Sequence, residues 1–218
     1  WGSDHHGYIK RIEASLEGLG FSKEKLFVQL VQFANLFQGG KRLKMSTRSG
    51  SFYTLKDLIK EIGVDAARFY YLSKQADQHL DFDIDLAKSE NKENLIFYIQ
   101  YAHARISSIQ GKYNSKNESL PKTHLSILEG SYLACDQLIH ESSKFPGVVQ
   151  RAADTLQPHL IVFYLRDLAQ LLHSFYNDHP ILKESKENQA SIIRSLSLVQ
   201  LVISNGLNLL GIKALDKM

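Results

Sequence analysis

The stretch PHLIVFYLRDLAQLLHSFYN (158–177) sets Ile161, Leu165, Leu168, Leu172 and Phe175 at alternating steps of four and three. An α-helix turns once in about 3.6 residues, so these side chains form one apolar stripe, with Pro158 in the first-turn place it favours. Such a stripe needs partners of its own kind. Stretches near 93–111, 123–142, 146–155 and 188–204 supply them, the last ending at Asn205-Gly206. From about Glu93 onward the chain reads as an all-α helical bundle, with GKYNSKNESLPK (111–122) a polar loop inside it.

The part before it follows different rules. Ser3 or Asp4 is placed to cap a helix from about His6 to Gly18. LFVQLVQF (26–33) is a compact apolar run read as a buried strand, although periodicity alone does not separate it from a buried helix. Gly39-Gly40 predicts a hairpin, since a primed turn needs two positive-φ positions. Thr54 predicts a capped helix to about Ile62 with Asp57 as capping-box partner; Gly63 ends it, and Asp65 is expected to cap the next through about Lys74. These alternating elements make an α/β piece. In HLDFDIDLAKSENKEN (79–94), Asp81, Asp83 and Asp85 alternate with apolar residues, so the segment is extended. A calcium loop is excluded, because Leu86 stands where that loop needs glycine and Lys92 where it needs glutamate. An interdomain connector is the expectation, with a division at 1–80 and 81–218.

Composition bounds the rest. The 218 residues, 44% hydrophobic and 22% charged, suffice for one large domain or two small ones. The single Cys135 excludes an internal disulfide and suits a reducing, cytoplasmic setting. No uninterrupted apolar run spans a membrane, since Arg166-Asp167 and Ser204-Asn205-Gly206 break the best candidates. The chain starts at Trp1 rather than methionine and reads as a piece of something longer.

Three places carry chemistry. QGGKRLKMSTRSGSFYTL (38–55) gathers Lys41, Arg42, Lys44 and Arg48 between glycines without an acid, although the whole chain carries only +3. Glycine lets backbone N–H groups approach a ligand, and lysine is a compact charge suited to phosphate. A solvated surface loop is equally consistent with composition. In WGSDHHGY (1–8), Gly2 permits close approach to a nucleoside and Asp4 can accept ribose hydroxyls, against the plainer role of helix cap; the adjacent His5 and His6 diverge and make no zinc pair. On the helix around FYIQYAHAR, Tyr98, Tyr101, Arg105 and Lys112 share a sector beside the stripe of Leu95, Ile99, Ala102, Ile106 and Ile109. Rings beside cations suit unpaired RNA, while tyrosines at a bundle seam are the purely structural alternative. His103 reads as a packed, hydrogen-bonded histidine.

The order of these residues adds a further indication. KMSTR (44–48) resembles the KMSKS signature of class I aminoacyl-tRNA synthetases. LVQFANLFQGGKRLKMSTRSG, TLKDLIKEIGVDAARFYYL, HLDFDIDLA, YIQYAHAR, HSFYN and NGLNLLGIKALDKM look, in that order and across essentially the whole chain, like arginyl-tRNA synthetase. The resemblance implies the second part of a Rossmann-type catalytic domain followed by a helical anticodon-binding domain. It implies that Lys44, Met45 and Ser46 act on ATP, with Thr47 replacing the second signature lysine and Arg48 the final serine, so that Arg48, Lys41 or a cation elsewhere in the full enzyme substitutes for the missing one. It further implies that Gly2 and Asp4 meet adenosine, that His5 faces substrate arginine, and that Tyr98, Tyr101, Arg105, Tyr176 and Met218 meet tRNA(Arg). ATP with Mg²⁺ enters as substrate, and no structural metal, membrane or second subunit is implied. The HIGH signature of the class is not among these residues, so the chain by itself is expected not to aminoacylate. A stand-alone RNA-binding module is the alternative reading.

Overall fold

The computed structural model describes residues 1–43, 53–116 and 133–218. A 3-10 turn over Ser3–Tyr8 runs into α1 (Ile9–Gly18). Neither Ser3 nor Asp4 caps α1: the Ser3 hydroxyl instead donates to Gln32 Oε1 at 2.7 Å, and Tyr8 stands at the N-cap without a side-chain bond. The stretch 26–33 is extended but is not a buried strand. Its backbone pairs with Trp1–Ser3, the Val31 and Ser3 amides donating to the Trp1 and Val31 carbonyls at 2.6 and 2.9 Å, and the Gln32 amide adds a single bond to the Ala76 carbonyl at 2.7 Å. With one short neighbour to pair against, Phe27, Val31 and Phe33 stay in solvent, Phe27 being 67% exposed.

Gly39 (φ 57°) and Gly40 (φ 69°) supply the positive-φ pair expected of them. They join β1 (Ala34–Gln38) to β2 (Lys41–Arg42), with Phe37 opposite Arg42. β3 (Leu80–Asp83) lies parallel to β1 on its other side, Ala34 opposite Leu80. A parallel partner requires a long crossover. That crossover contains α2 (Leu55–Ile62) and α3 (Val64–Leu72). Thr54 and Asp57 close the capping box on α2. Gly63, at φ 83°, both ends α2 and opens α3, so Asp65 is not a cap; its carboxylate accepts from the Lys213 amide at 3.2 Å.

The segment expected as a connector is part of this sheet. Phe82 and Ile84 are completely buried, and Asp83 caps α4 (Ile84–Lys88) by accepting from the Asp85 and Leu86 amides at 2.9 and 3.0 Å. The first half of its alternation marks an edge strand with one buried face rather than a tether, and the second half turns into a helix. Passage to the bundle falls at 89–94, where the buried Asn94 amide donates to the carbonyls of Ala87 and Ser89 at 3.2 and 2.7 Å.

The bundle comprises α5 (Leu95–Lys116), α6 (Leu133–Ser143), α7 (Phe145–Thr155), α8 (His159–Asp178) and α9 (Lys186–Leu209). The stripe Ile161, Leu165, Leu168, Leu172 and Phe175 lies in its core, as the spacing predicts. α5 runs five residues past Gly111 because Tyr113 is buried against that core. α9 runs through Asn205-Gly206, where a helix end is expected. Gly206 serves a close helix crossing instead, since a Cβ there would lie 2.7 Å from Leu165 Cδ2. Residues 188–209 are long and apolar enough to cross a membrane by composition, with mean hydropathy 1.3. Their apolar side, including Ile192, Leu196, Val199, Ile203 and Leu207, forms the bundle core. Ile62 and Tyr70 pack against both the sheet core and the bundle core, joining the two parts.

Candidate functional site

One face of α5, the last turns of α8 and the segment 217–218 enclose a cavity of about 450 Å³. Tyr101, Arg105, Lys112, Tyr176, Lys217 and Met218 line it, together with Ala104, Ser108 and Ile109. Four of the five residues expected to meet RNA therefore converge, although Tyr101 and Met218 are 117 positions apart in the chain. Arg105 is the centre of this group. Its guanidinium carbon lies 3.7 Å from the Tyr176 ring centroid and 5.5 Å from that of Tyr101. A cation over an aromatic face is attracted by the ring quadrupole, which holds both planes at a set angle to the cavity.

Tyr98 is placed differently. It does not line the cavity; its ring sits 4.5 Å from that of His173 and is partly buried, which raises its phenol pKa and keeps it neutral. His173 completes the arrangement. Arg105 Nη1 donates to His173 Nδ1 at 3.1 Å, and arginine cannot accept, so the imidazole carries its proton on Nε2, directed at the Tyr98 carbonyl 3.4 Å away. Burial first, and then the adjacent guanidinium, hold the His173 pKa below the ordinary histidine value. Burial also lowers that of His159.

This has a consequence for stability. A histidine whose folded pKa is depressed binds a proton more readily in the unfolded chain. Its stability is complete above about pH 6.5, the unfolded value, and declines as pH falls toward the folded one. Unfolding in urea is therefore expected to show stability falling between about pH 7 and pH 5, with a shallower decline in His173→Gln. An equal slope in the variant would show that His173 takes up a proton as readily in the folded chain as in the unfolded one.

Met218 is brought to the cavity by bonds from α5. The Gln100 amide donates to the Lys213 carbonyl at 2.9 Å, and the buried His103 Nδ1 lies 2.9 Å from the Leu215 carbonyl. Ser107 donates to Asp216 Oδ1 at 3.0 Å and accepts from Gln200 at 2.7 Å. His103 is thus the packed, bonded histidine that was expected. These bonds also turn the Asp216 carboxylate toward Ser107 and His103, and among the described residues no acidic side chain lines the cavity.

At the other end of the molecule, Gly2 and Asp4 are adjacent in the turn that follows the Gly2–Val31 bridge. A Cβ on Gly2 would lie 2.5 Å from Asp4 Oδ1, so glycine is what lets that carboxylate fold back over the backbone. Asp4 Oδ2 is 3.5 Å from His5 Nε2, and both side chains are exposed. Lys44, Met45, Ser46, Thr47 and Arg48 lie outside the described residues. No group of three or more metal-ligating side chains occurs among the described ones.

Sequence reasoning missed His173 and Lys217. The first stands one helical turn before Tyr176 in HSFYN, a spacing that places both on one face of α8; the second had no signal beyond its proximity to Met218.

Residues 99–218 match the model of the DALR anticodon binding domain. The whole chain is 46% identical to an arginine–tRNA ligase of Acinetobacter baumannii and 46% identical to one of Coxiella burnetii. It spans 37% and 38% of their lengths. Among solved structures, one described as an arginyl-tRNA synthetase of Campylobacter jejuni superposes with a TM-score of 0.89 at 36% identity, covering 100% of this chain and 47% of that one. The fold is shared with the Thermus thermophilus arginyl-tRNA synthetase, at a TM-score of 0.74 and 22% identity over 96% of this chain and 39% of that one.

Proposed function

Since this chain belongs to the DALR anticodon binding domain family, we propose that it is the C-terminal part of an arginine–tRNA ligase, and that the cavity between α5 and α8 receives unpaired anticodon bases of tRNA(Arg). The convergence of Arg105, Tyr101, Tyr176 and Met218 carries this reading. Unpaired bases are held by stacking on rings and guanidinium planes, with phosphates neutralised nearby. A cavity with three cationic side chains and, among the described residues, no acidic one, in a chain almost balanced in charge, suits such a ligand.

The remaining roles fall to the α/β part before the passage at 89–94, and the RNA role to the bundle after it. Arginine's carboxylate attacks the α-phosphorus of ATP, giving arginyl-adenylate, and pyrophosphate leaves with Mg²⁺ on its oxygens. A ribose hydroxyl of the tRNA's terminal adenosine then attacks the activated carbonyl, and AMP departs. Lys44, Ser46 and Arg48 offset the charge of the leaving pyrophosphate, with Met45 setting the loop. Gly2 and Asp4 hold the adenosine, and His5 faces substrate arginine. Catalysis of this kind is positioning and electrostatics. The setting is the cytoplasm, and the enzyme acts as a monomer.

Anisotropy of fluorescein-labelled tRNA(Arg) titrated with the 218-residue chain tests the RNA half. Saturable binding is expected, with log affinity falling against log salt by about 0.7 for each phosphate neutralised. A flat titration would remove the reading.

A further inference from the structure

The segment that carries Met218 is held from two sides, and only one of them belongs to the bundle. Lys213 is the junction. Its carbonyl accepts from Gln100 on α5 at 2.9 Å, while its amide donates to Asp65 on α3 at 3.2 Å. We propose that Asp65 is a positioning residue for the cavity between α5 and α8, fixing through this segment where Met218 stands in its wall. The consequence for RNA rests on the reading given above; the placement of Met218 does not.

The start of the segment is set by the end of α9. Gly211 adopts φ 69°, and the Gly211 and Ile212 amides donate to the Asn208 and Leu207 carbonyls, both at 2.9 Å. This pair of bonds closes the helix and turns the chain away from it, with Ile212 buried in the bundle core. On α3, Arg68 stands three residues after Asp65 and so shares its face. A Cβ on Gly211 would lie 2.8 Å from Arg68 Nη1, so the guanidinium fills the space that any other residue would need. Helix α3 therefore meets the segment twice, at Gly211 and at Lys213.

Beyond Lys213 the segment has no slack. Lys213, Leu215 and Asp216 meet Gln100, His103 and Ser107 in that order along α5. Seven residues of helix rise about 10.5 Å, and three residues of extended chain span at most about 10–11 Å. A segment tied at both ends over that distance is nearly straight, so a displacement at Lys213 passes on toward Met218 instead of being absorbed. Ties to α5 alone would leave the segment free to roll around that helix. The bond to Asp65, made from a second helix, removes that freedom.

The test uses the 218-residue chain. Met45 and Met218 are its two methionines, so isotopic labelling of methionine methyl groups gives two NMR signals, and Met218→Leu assigns one of them. The Met218 signal is expected away from the shift of unstructured methionine, because Tyr101 and Tyr176 line the same cavity. Asp65→Ala should move it toward the unstructured value in a chain that urea titration shows to be folded. Asp65→Asn keeps an acceptor oxygen and should restore it. If alanine unfolds the chain, Asp65→Ser repeats the test, since serine suits the first turn of a helix but is too short to reach Lys213. An unmoved signal in the folded alanine or serine variant, or no recovery with asparagine, overturns the proposal. Anisotropy of labelled tRNA(Arg) reads the consequence. Asp65→Ala should weaken binding about fivefold, the effect of one lost hydrogen bond, and by less than about twofold where Met218→Ala is already present. An undiminished loss in the double variant would mean that Asp65 acts by another route, and also overturns the proposal. If the parent chain does not bind tRNA(Arg), the RNA reading fails, and the methyl spectra alone decide whether Asp65 positions Met218.

Discussion

Arg105→Met should weaken binding of tRNA(Arg) by roughly 30- to 150-fold, the equivalent of about 2–3 kcal/mol. Methionine keeps about the length of arginine's aliphatic stem, so the packing of α5 is retained. It removes the charge that would meet a phosphate and the plane that lies 3.7 Å over Tyr176. It also removes the donor to His173 Nδ1, so one face of the cavity loses its brace as well as its cation. Arg105→Lys separates these effects. Lysine keeps the charge but is a point donor without a plane, so the salt dependence of binding should persist while most of the affinity is lost. Titrations of labelled tRNA at several salt concentrations read both quantities. If the methionine variant binds within about twofold of the parent chain, RNA does not occupy this cavity.

The spacing of apolar residues made most of the bundle legible. Ile161 to Phe175 fall on one side of α8 because helical periodicity is a local property, and the same holds for the capping box of Thr54 and Asp57. The Gly39-Gly40 hairpin was legible for a related reason: few residues tolerate its backbone angles. What escaped was set by partners distant in sequence. Nothing within LFVQLVQF indicates that its backbone will find only Trp1–Ser3 and a single bond to Ala76, so its composition reads as buried while Phe27 remains in water. The alternation at Asp81–Asp85 is extended only as far as Asp83, since Ile84 and Asp85 begin α4. Its assignment as a connector failed because the parallel pairing with β1 depends on residues more than forty positions upstream. The candidate site divides in the same way. Residue types on α5 nominated Tyr98, Tyr101 and Arg105, but which of them lines the cavity is decided by where α8 crosses. That crossing sends Tyr98 beneath His173 and leaves Tyr101 at the surface, a distinction with no local signal.

The crossing itself depends on Gly206, and Gly206→Val is expected to destabilise the chain by about 3 kcal/mol. Two effects of opposite sign compete at this position. Glycine inside a helix costs about 1 kcal/mol relative to alanine, so replacing it favours α9 taken alone. Against this, the first added carbon would stand 2.7, 3.0 and 3.1 Å from Leu165 Cδ2, Cδ1 and Cγ. Leu165 is completely buried and sits among Leu168, Val162 and Ile203, so it has no empty space to turn into. Helix α8 must then retreat from α9, or Leu165 must leave its preferred rotamer, and such overpacking costs about 1–3 kcal/mol even for small additions. Valine adds two further methyl groups with a stiff first torsion, so the steric cost prevails over the gain in helix propensity. Urea denaturation measures the loss, and pairing the substitution with Leu165→Ala identifies its cause. Alanine at 165 leaves room for the new side chain, so the double variant should be more stable than the sum of the single losses requires. Strict additivity would mean that the clash is relieved elsewhere. Because α8 carries His173 about two turns and Tyr176 about three turns further along, any retreat also shifts the ring that Arg105 covers. Gly206→Val should therefore weaken RNA binding under conditions where the chain is still folded, although residue 206 does not line the cavity.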